Sequence, residues 1–274
     1  EQFLNHLKSI SDLERTHRKL SLELLNPQEY VDLINSYNEV IKIIFKVLPK
    51  KKLKNIKPDK KTIKELNEFI KFSENTFDLV EMKKYNLNDI ENSFFKTNIH
   101  KELDKIQGKI NDNVLFFENV CNELSQLIDD KKKTKNSENK IYLKKNDRDG
   151  YYLSLTKLRS ISLQKNLKNI KDIKITNKIK IKPENLLFKN LPKGNSKIFF
   201  DKMDNKSDDL ILLRNKIKIL TKEYYVDTLK MLFNKYSIMF NRLTKFISII
   251  DFSVSGAKTA LMYGYNKPKI FKRN

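Results

Sequence analysis

The sequence predicts a mainly α protein, a bundle of long helices with a small, mostly β element inserted at its tip, and three observations carry that prediction. Over residues 209–250 the apolar side chains Leu213, Ile217, Leu220, Tyr224, Met231, Met239, Leu243, Phe246 and Ile250 recur mostly at steps of three and four, the helical period. No Gly or Pro interrupts this stretch, so at about 1.5 Å per residue a continuous helix would extend roughly 60 Å. A second periodic face, Leu103, Ile106, Ile110, Val114, Phe117, Cys121, Leu124 and Ile128, runs to about residue 130. Between these two stretches the period becomes that of strands, and positive charge concentrates there.

In chain order, Ser11 through Leu20, Leu22, Leu24 and Leu25 form an amphipathic segment that Asn26-Pro27 ends. Asn26 can cap a second helix with Pro27 in its first turn, and Tyr30, Leu33, Ile34, Tyr37, Val40 and Ile41 form its buried face. The run at 49–61, with Lys50, Lys51, Lys52, Lys54 and Lys57, reads as a solvated connector. Short apolar segments over 62–95 fit further helices, and residues 98–104 open the helix that ends near 130. Next, Lys140-Ile141-Tyr142-Leu143-Lys144 alternates, and Gly150-Tyr151-Tyr152-Leu153-Ser154-Leu155 is rich in strand formers. Ile173, Ile175, Ile179 and Ile181 interleave with polar residues that include Lys174, Lys178, Lys180 and Lys182. Alternation sends apolar and cationic side chains to opposite faces of each strand. Finally, Ser207 can cap the last long helix, with Asp208 and Asp209 in a first turn whose dipole favours each negative charge by about 0.3–1 kcal/mol. On that reading the helix starts at 207–208, and proline at Asp208 would be tolerated.

The chain has 56 Lys and Arg against 34 Asp and Glu, a net +22 that would draw it to DNA, RNA or an acidic membrane surface. Residues 131–206 hold 22 Lys and Arg against 7 Asp and Glu and so carry +15 of that excess. An AT-rich coding sequence would account for part of the Lys, Asn and Ile content. A hydrophobic fraction of 39% suffices for a core in one or two domains. Cys121 is the single cysteine, which excludes an internal disulfide and a Cys-based zinc finger and fits a reducing compartment. Among Phe116, Phe117, Val120 and Leu124 it reads as a packing residue. No apolar run approaches about eighteen residues, so no membrane span is expected. The start at Glu1 and the abrupt end at Asn274 read as a piece of a longer polypeptide.

Several of these stretches resemble one family. The wording SDLERTHRKLSLELLNPQEYVDLINSYNEVIKI resembles the opening of the core, or lever, domain of the MutS mismatch-repair family, where a DLER segment, an R-L-S-L and an N/R-P step lead into the next helix. Asn98-Ile99-His100-Lys101-Glu102-Leu103-Asp104 resembles the turn before E-L-D-x-L-R that begins the family's descending lever helix. Residues 149–157, Asp149 to Lys157, resemble the G-Y-Y-I/L-x-V/I-T/S-K strand of its clamp, and Ile249-Ile250-Asp251-Phe252-Ser253 resembles the L-D-V that closes the lever. The family's K-N-A-E-R-Y run is absent, and spacing alone sets Asn195 opposite its backbone-contacting Asn. The resemblance is collinear over nearly the whole chain. It implies a lever over 1–139 and 208–274, and a basic, β-rich clamp over 140–207 that grips duplex DNA backbone. It also implies a longer parent in an intracellular, DNA-containing compartment, with an ATPase that uses ATP and Mg and a second MutS-like subunit. These residues themselves would need no cofactor and touch no membrane.

A lysine-rich strand face without a base-reading helix would hold phosphates rather than base edges. Lys144, Lys145, Arg148, Lys157, Arg159, Lys193, Asn195 and Lys197, all near predicted strand ends or loops, are the candidate contacts. No catalytic or metal site is expected. Ser255-Gly256-Ala257-Lys258-Thr259 resembles the end of a phosphate-binding loop but lacks Gly before Lys, and Asp251 stands where the other Gly belongs. His6, His17 and His100 have no metal-ligand spacing, and Asp129-Asp130 and Asp208-Asp209 read as solvated helix ends. Two other classes fit less well, because the apolar stripe is broad, the chain has no Trp and its basic region reads as β. A coiled-coil-like scaffold with a basic tip for RNA or protein would show strict heptads, and a membrane-surface binder would pair Lys with Trp or Leu on one helix.

Overall fold

The computed structural model describes residues 2–47, 56–128, 140–146, 150–175 and 180–266. Helices α1 (Gln2–Lys8), α2 (Leu13–Ser21) and α3 (Pro27–Lys42) come first, and a π-helical turn Ile43–Val47 extends α3. Helices α4 (Lys60–Thr76), α5 (Leu79–Met82) and α6 (Lys101–Gln126) follow. Strands β1 (Tyr142–Asn146) and β2 (Gly150–Thr156) lead into α7 (Lys157–Leu167), then β3 (Ile173–Lys174), β4 (Lys180–Ile181), β5 (Leu186–Asn190) and β6 (Asn195–Phe200). Helix α8 (Asp201–Tyr263) ends the described chain. The molecule is therefore mainly α with a small antiparallel sheet between its two longest helices, as the sequence predicts. Two compact units divide it, Glu1–His100 with Leu220–Asn274 and Lys101–Ile219.

Local signals set the helix ends in the first unit. Asp12 accepts a hydrogen bond from the Arg15 backbone N–H at 3.0 Å and caps α2. Pro27 opens α3, and the Glu29 carboxylate reaches back to the Asn26 N–H at 3.1 Å. The Asn26 side-chain oxygen accepts from the Leu87 N–H at 3.2 Å, so the same residue also anchors the loop after α5.

Aromatic packing forms the core of this unit. Phe69 is fully buried, with ring centroids of Tyr37, Tyr236 and Phe240 at 5.4, 5.4 and 5.5 Å and Tyr30 at 6.0 Å. On the part of α8 in this unit the buried positions include Thr221, Tyr225, Leu229, Leu232, Tyr236, Met239, Phe240, Leu243, Phe246 and Ile250. This corrects the predicted stripe: Tyr225 and Leu232 lie inside where Tyr224 and Met231 were expected, and Leu213 and Leu220 are only half-buried. The Tyr225 hydroxyl donates to the Leu25 carbonyl at 3.0 Å, which gives its polar tip a partner that Tyr224 at that depth would not have. Tyr224 instead stacks on His100 at 4.1 Å. The stripe is too broad for a two-position coiled-coil seam.

His17 sits in this core with 7% of its surface exposed, stacked on Phe240 at 4.6 Å. Its Nε2 is 2.7 Å from the Tyr37 hydroxyl and its Nδ1 is 3.2 Å from Thr244 Oγ1. The Thr244 hydroxyl donates to the Phe240 carbonyl, so the neutral tautomer with hydrogen on Nδ1 satisfies all three groups. Burial pushes its pKa down to about 4. The unfolded chain thus binds a proton that the fold refuses. Stability should be constant above the unfolded value near 6.5 and fall by about 3 kcal/mol as pH drops from there towards 4. Urea midpoints of the wild type and His17→Phe between pH 7.5 and 4.5 check this: the wild type should lose more, and equal losses would assign the acid sensitivity elsewhere.

The second unit packs α6 and the first part of α8 with the sheet. Leu103, Ile106, Ile110, Phe116, Phe117, Val120, Cys121 and Leu124 are the buried apolar residues of α6, with Asn113 buried where Val114 was expected to be. Asn113 accepts from the Lys206 ammonium at 2.8 Å, which explains a polar residue in that place. Cys121 is buried, and burial pushes its thiol up to about 12, so it packs and does not react. Helix α8 starts at Asp201, not at Ser207. The Ser207 hydroxyl accepts from the Tyr151 N–H of β2 at 2.8 Å, a link to the sheet in place of a helix cap. Gly150 makes the approach possible: its φ is 64°, and a Cβ there would come within 2.5 Å of Ser207 Oγ.

The four-stranded sheet has the order β1-β2-β6-β5, all antiparallel, and β3 with β4 forms a separate hairpin. Helix α7 occupies a stretch the sequence left between strands. Thr156 accepts from the Arg159 N–H at 3.4 Å, and Ser160, Leu163 and Leu167 are buried at helical spacing. Strand β5, between Pro183 and Pro192, was not read from sequence either. Ser255 to Thr259 lie within α8, which fits a helix face and not a phosphate loop.

Candidate nucleic-acid interface

Register sorts the candidate contacts by face, because partners directly opposite in an antiparallel ladder project to the same side. One face packs inward, with Tyr151, Leu153, Leu155, Leu186, Ile198 and Phe200 buried. Phe200 lies 6.3 Å from Phe116 and Tyr151 6.5 Å from Phe117, which sets this face against α6. The opposite face carries Tyr142, Lys144, Asn146, Gly150, Tyr152, Ser154, Thr156, Asn195, Lys197, Phe199, Leu187 and Lys189. Three of these twelve are lysines and none is a carboxylate.

This arrangement brings together Lys144, Asn195 and Lys197 and separates Lys145. Lys144 pairs across the ladder with Tyr152 and is exposed. Lys145 is also exposed but belongs to the other face, with its ammonium 5.7 Å from the Tyr151 ring centroid. Lys197 is only 5% exposed, and its ammonium lies 4.0 Å from the centroid of Tyr152, a cation–π contact that holds both side chains. Asn195 starts β6 opposite Thr156 and is half-buried. Lys193 lies in the turn Pro192–Gly194. Arg148 lies outside the described residues.

Lys157 and Arg159 stand in the first turn of α7, which begins directly after the end of β2. Lys157 is exposed, and half-buried Arg159 donates to the Lys140 carbonyl at 3.5 Å. The turn itself contains no acidic residue, and its two cations lie where the helix amides are themselves positive. An anion there would be doubly favoured.

Lys189 was missed by the sequence reading and belongs with the face. It is exposed and opposes Lys197 directly. The short apolar run Leu186-Leu187-Phe188, bounded by Pro183 and Pro192, is the signal that could have found its strand. On the hairpin, Lys174 opposes Lys180 while Ile173 and Ile181 are buried, and Asp172 pairs with Lys180 at 3.7 Å. Chemically the region can hold polyanions. Among the described residues no three His, Cys, Asp or Glu side chains gather to hold a metal ion, and no helix is long and apolar enough to cross a membrane.

No family model matches the chain. It is 30% identical over its full length to a putative DNA mismatch repair protein mutS homolog of Acanthamoeba polyphaga mimivirus, of which it covers 25%. It is 23% identical over 98% of its length to the DNA mismatch repair protein MutS of Petrotoga mobilis, of which it covers 28%. The chain thus spans about a quarter of the length of these curated relatives.

Proposed function

The chain belongs to the MutS family of DNA mismatch-repair proteins, and from that premise we propose that it is the lever and clamp region of a longer protein. Its sheet grips duplex DNA backbone without reading sequence, and its long helix passes conformational change to an ATPase outside these residues. The lever comprises 1–139 and 208–274, and the clamp 140–207. The observation that carries the reading is the sheet face with Lys144, Lys189 and Lys197 and no carboxylate, in a chain collinear with mismatch-repair proteins. Phosphate contact requires cations and N–H donors, which this face and the first turn of α7 supply. Lys144, Lys189, Lys157 and Arg159 would meet phosphates, Arg148, Lys193 and Asn195 would flank them, Lys145 would reach the same backbone from the strand edge, and Lys197 would act from within the face. The region itself binds no cofactor. ATP with Mg, and a second MutS-like subunit completing the grip, belong to the parent protein.

Binding should be steeply salt-dependent and indifferent to sequence. Reversing Lys144 and Lys189 together to Glu should lower the slope of log affinity against log salt by about 1.8, since each phosphate contact contributes about 0.9. Unrelated duplexes of one length should bind alike. Anisotropy titrations at several salt concentrations measure both quantities. A slope unchanged in the double variant, or in a protein lacking residues 140–206 that stays helical by circular dichroism, would remove the clamp from DNA binding.

A further inference from the structure

The cationic sheet face has a second property that duplex backbone contact does not use. Tyr142, Ser154, Lys197 and Lys189 form one cross-strand row over all four strands. Continuing the same register, Lys144, Tyr152, Phe199 and Leu187 form the next. Rings and lysines are therefore neighbours along β1, as Tyr142 and Lys144, and along β6, as Lys197 and Phe199, and Tyr152 lies between the two pairs. Tyr142 is 46% exposed, and Tyr152 and Phe199 are half-buried, so their rings are reachable from solvent. The Lys197 ammonium, 4.0 Å from the Tyr152 centroid, braces that ring and adds positive charge over one of its faces. Phosphates of a duplex gain little from aromatic rings, because the bases are stacked inside. Unpaired bases expose a π face, and flat basic sheet surfaces with projecting aromatics are suited to them.

We infer that this face binds single-stranded DNA, with successive bases stacked on Tyr142 and Tyr152 and the flanking phosphates held by Lys144 and Lys189. Charge complementarity selects this occupant over an apolar peptide: the twelve residues of the face include three lysines and no carboxylate. The inference rests on the proposed reading of the sheet as a nucleic-acid contact and adds a substrate class to it. Tyr142 and Tyr152 are diagonal neighbours on adjacent strands, about 7–8 Å apart in such ladders, so one strand of DNA can engage both.

The test compares labelled oligothymidine with a blunt duplex of the same length, at low salt, on the whole chain. The wild type should bind both. In the double variant Tyr142→Leu with Tyr152→Leu, single-strand affinity should fall about 30-fold or more, while duplex affinity changes less than about twofold. Tyr142→Phe with Tyr152→Phe keeps the rings and should keep single-strand affinity, which provides the answer if the leucine variant misfolds. Single-strand binding unaffected by leucine, or lost equally with duplex binding, overturns stacking on these rings. Duplex binding by the wild type without single-strand binding overturns the inference and leaves the backbone grip standing. Loss of both ligands from the wild type overturns the two readings together.

Discussion

Replacing Phe69 with Ala should lower the stability of the first unit by about 3–5 kcal/mol, the cost of removing a large buried ring from a site that cannot collapse around the void. Phe69 is fully buried, and its four aromatic neighbours come from different parts of the unit: Tyr30 and Tyr37 on α3, Tyr236 and Phe240 on α8. Those rings meet Phe69 mostly edge to face, with interplanar angles of 80°, 88° and 86° to Tyr37, Tyr236 and Phe240. Each such pair contributes beyond its buried area, so Ala forfeits several at once. The tyrosines cannot fill the gap freely, because the Tyr30 hydroxyl is held to Ser73 at 2.6 Å and the Tyr37 hydroxyl to His17. Thermal unfolding followed by circular dichroism should show a midpoint lower by on the order of 10 °C. Phe45→Ala is the control, since Phe45 is 55% exposed and should shift stability by no more than about 0.5 kcal/mol. Similar losses in the two variants would mean that the ring cluster is not the core.

Proline at Leu220 should cost about 3 kcal/mol or more, because it removes an interior backbone hydrogen bond of α8 and its ring collides with the carbonyl one turn back. Leu220 is twenty residues inside the helix, between the buried Ile217 and Thr221. The same reasoning now applies to Asp208, which sequence alone placed in a tolerant first turn. With the helix starting at Asp201, Asp208 lies in the interior, and Asp208→Pro should be destabilising as well. In a parent protein with an ATPase, Leu220→Pro should also remove DNA stimulation of ATP turnover while basal turnover and DNA binding persist. DNA-stimulated hydrolysis equal to wild type, in a variant that circular dichroism shows to be folded, would mean that α8 is not the transmitting element.

Local chemistry made most helices legible in the sequence. The cap at Asn26-Pro27 and the steps of three and four over α3, α6 and α8 depend on residues a few positions apart, so they can be read without knowing what packs against them. Alternation likewise identified β1, and a run of strand-forming residues identified β2. The MutS resemblance was carried by short collinear motifs, and full-length similarity to two mismatch-repair proteins bears it out. Tertiary structure alone decided three further things. It chose Tyr225 over Tyr224 and Leu232 over Met231, because a helical period defines a stripe but the partner surface fixes its centre, here through the Leu25 carbonyl. It carried α8 back to Asp201, because the Ser207 hydroxyl was used by the Tyr151 N–H of the sheet. It also set Lys189 beside Lys197 and sent Lys144 and Lys145 to opposite faces, because ladder register joins residues far apart in sequence and one position along a strand reverses the side on which a charge emerges.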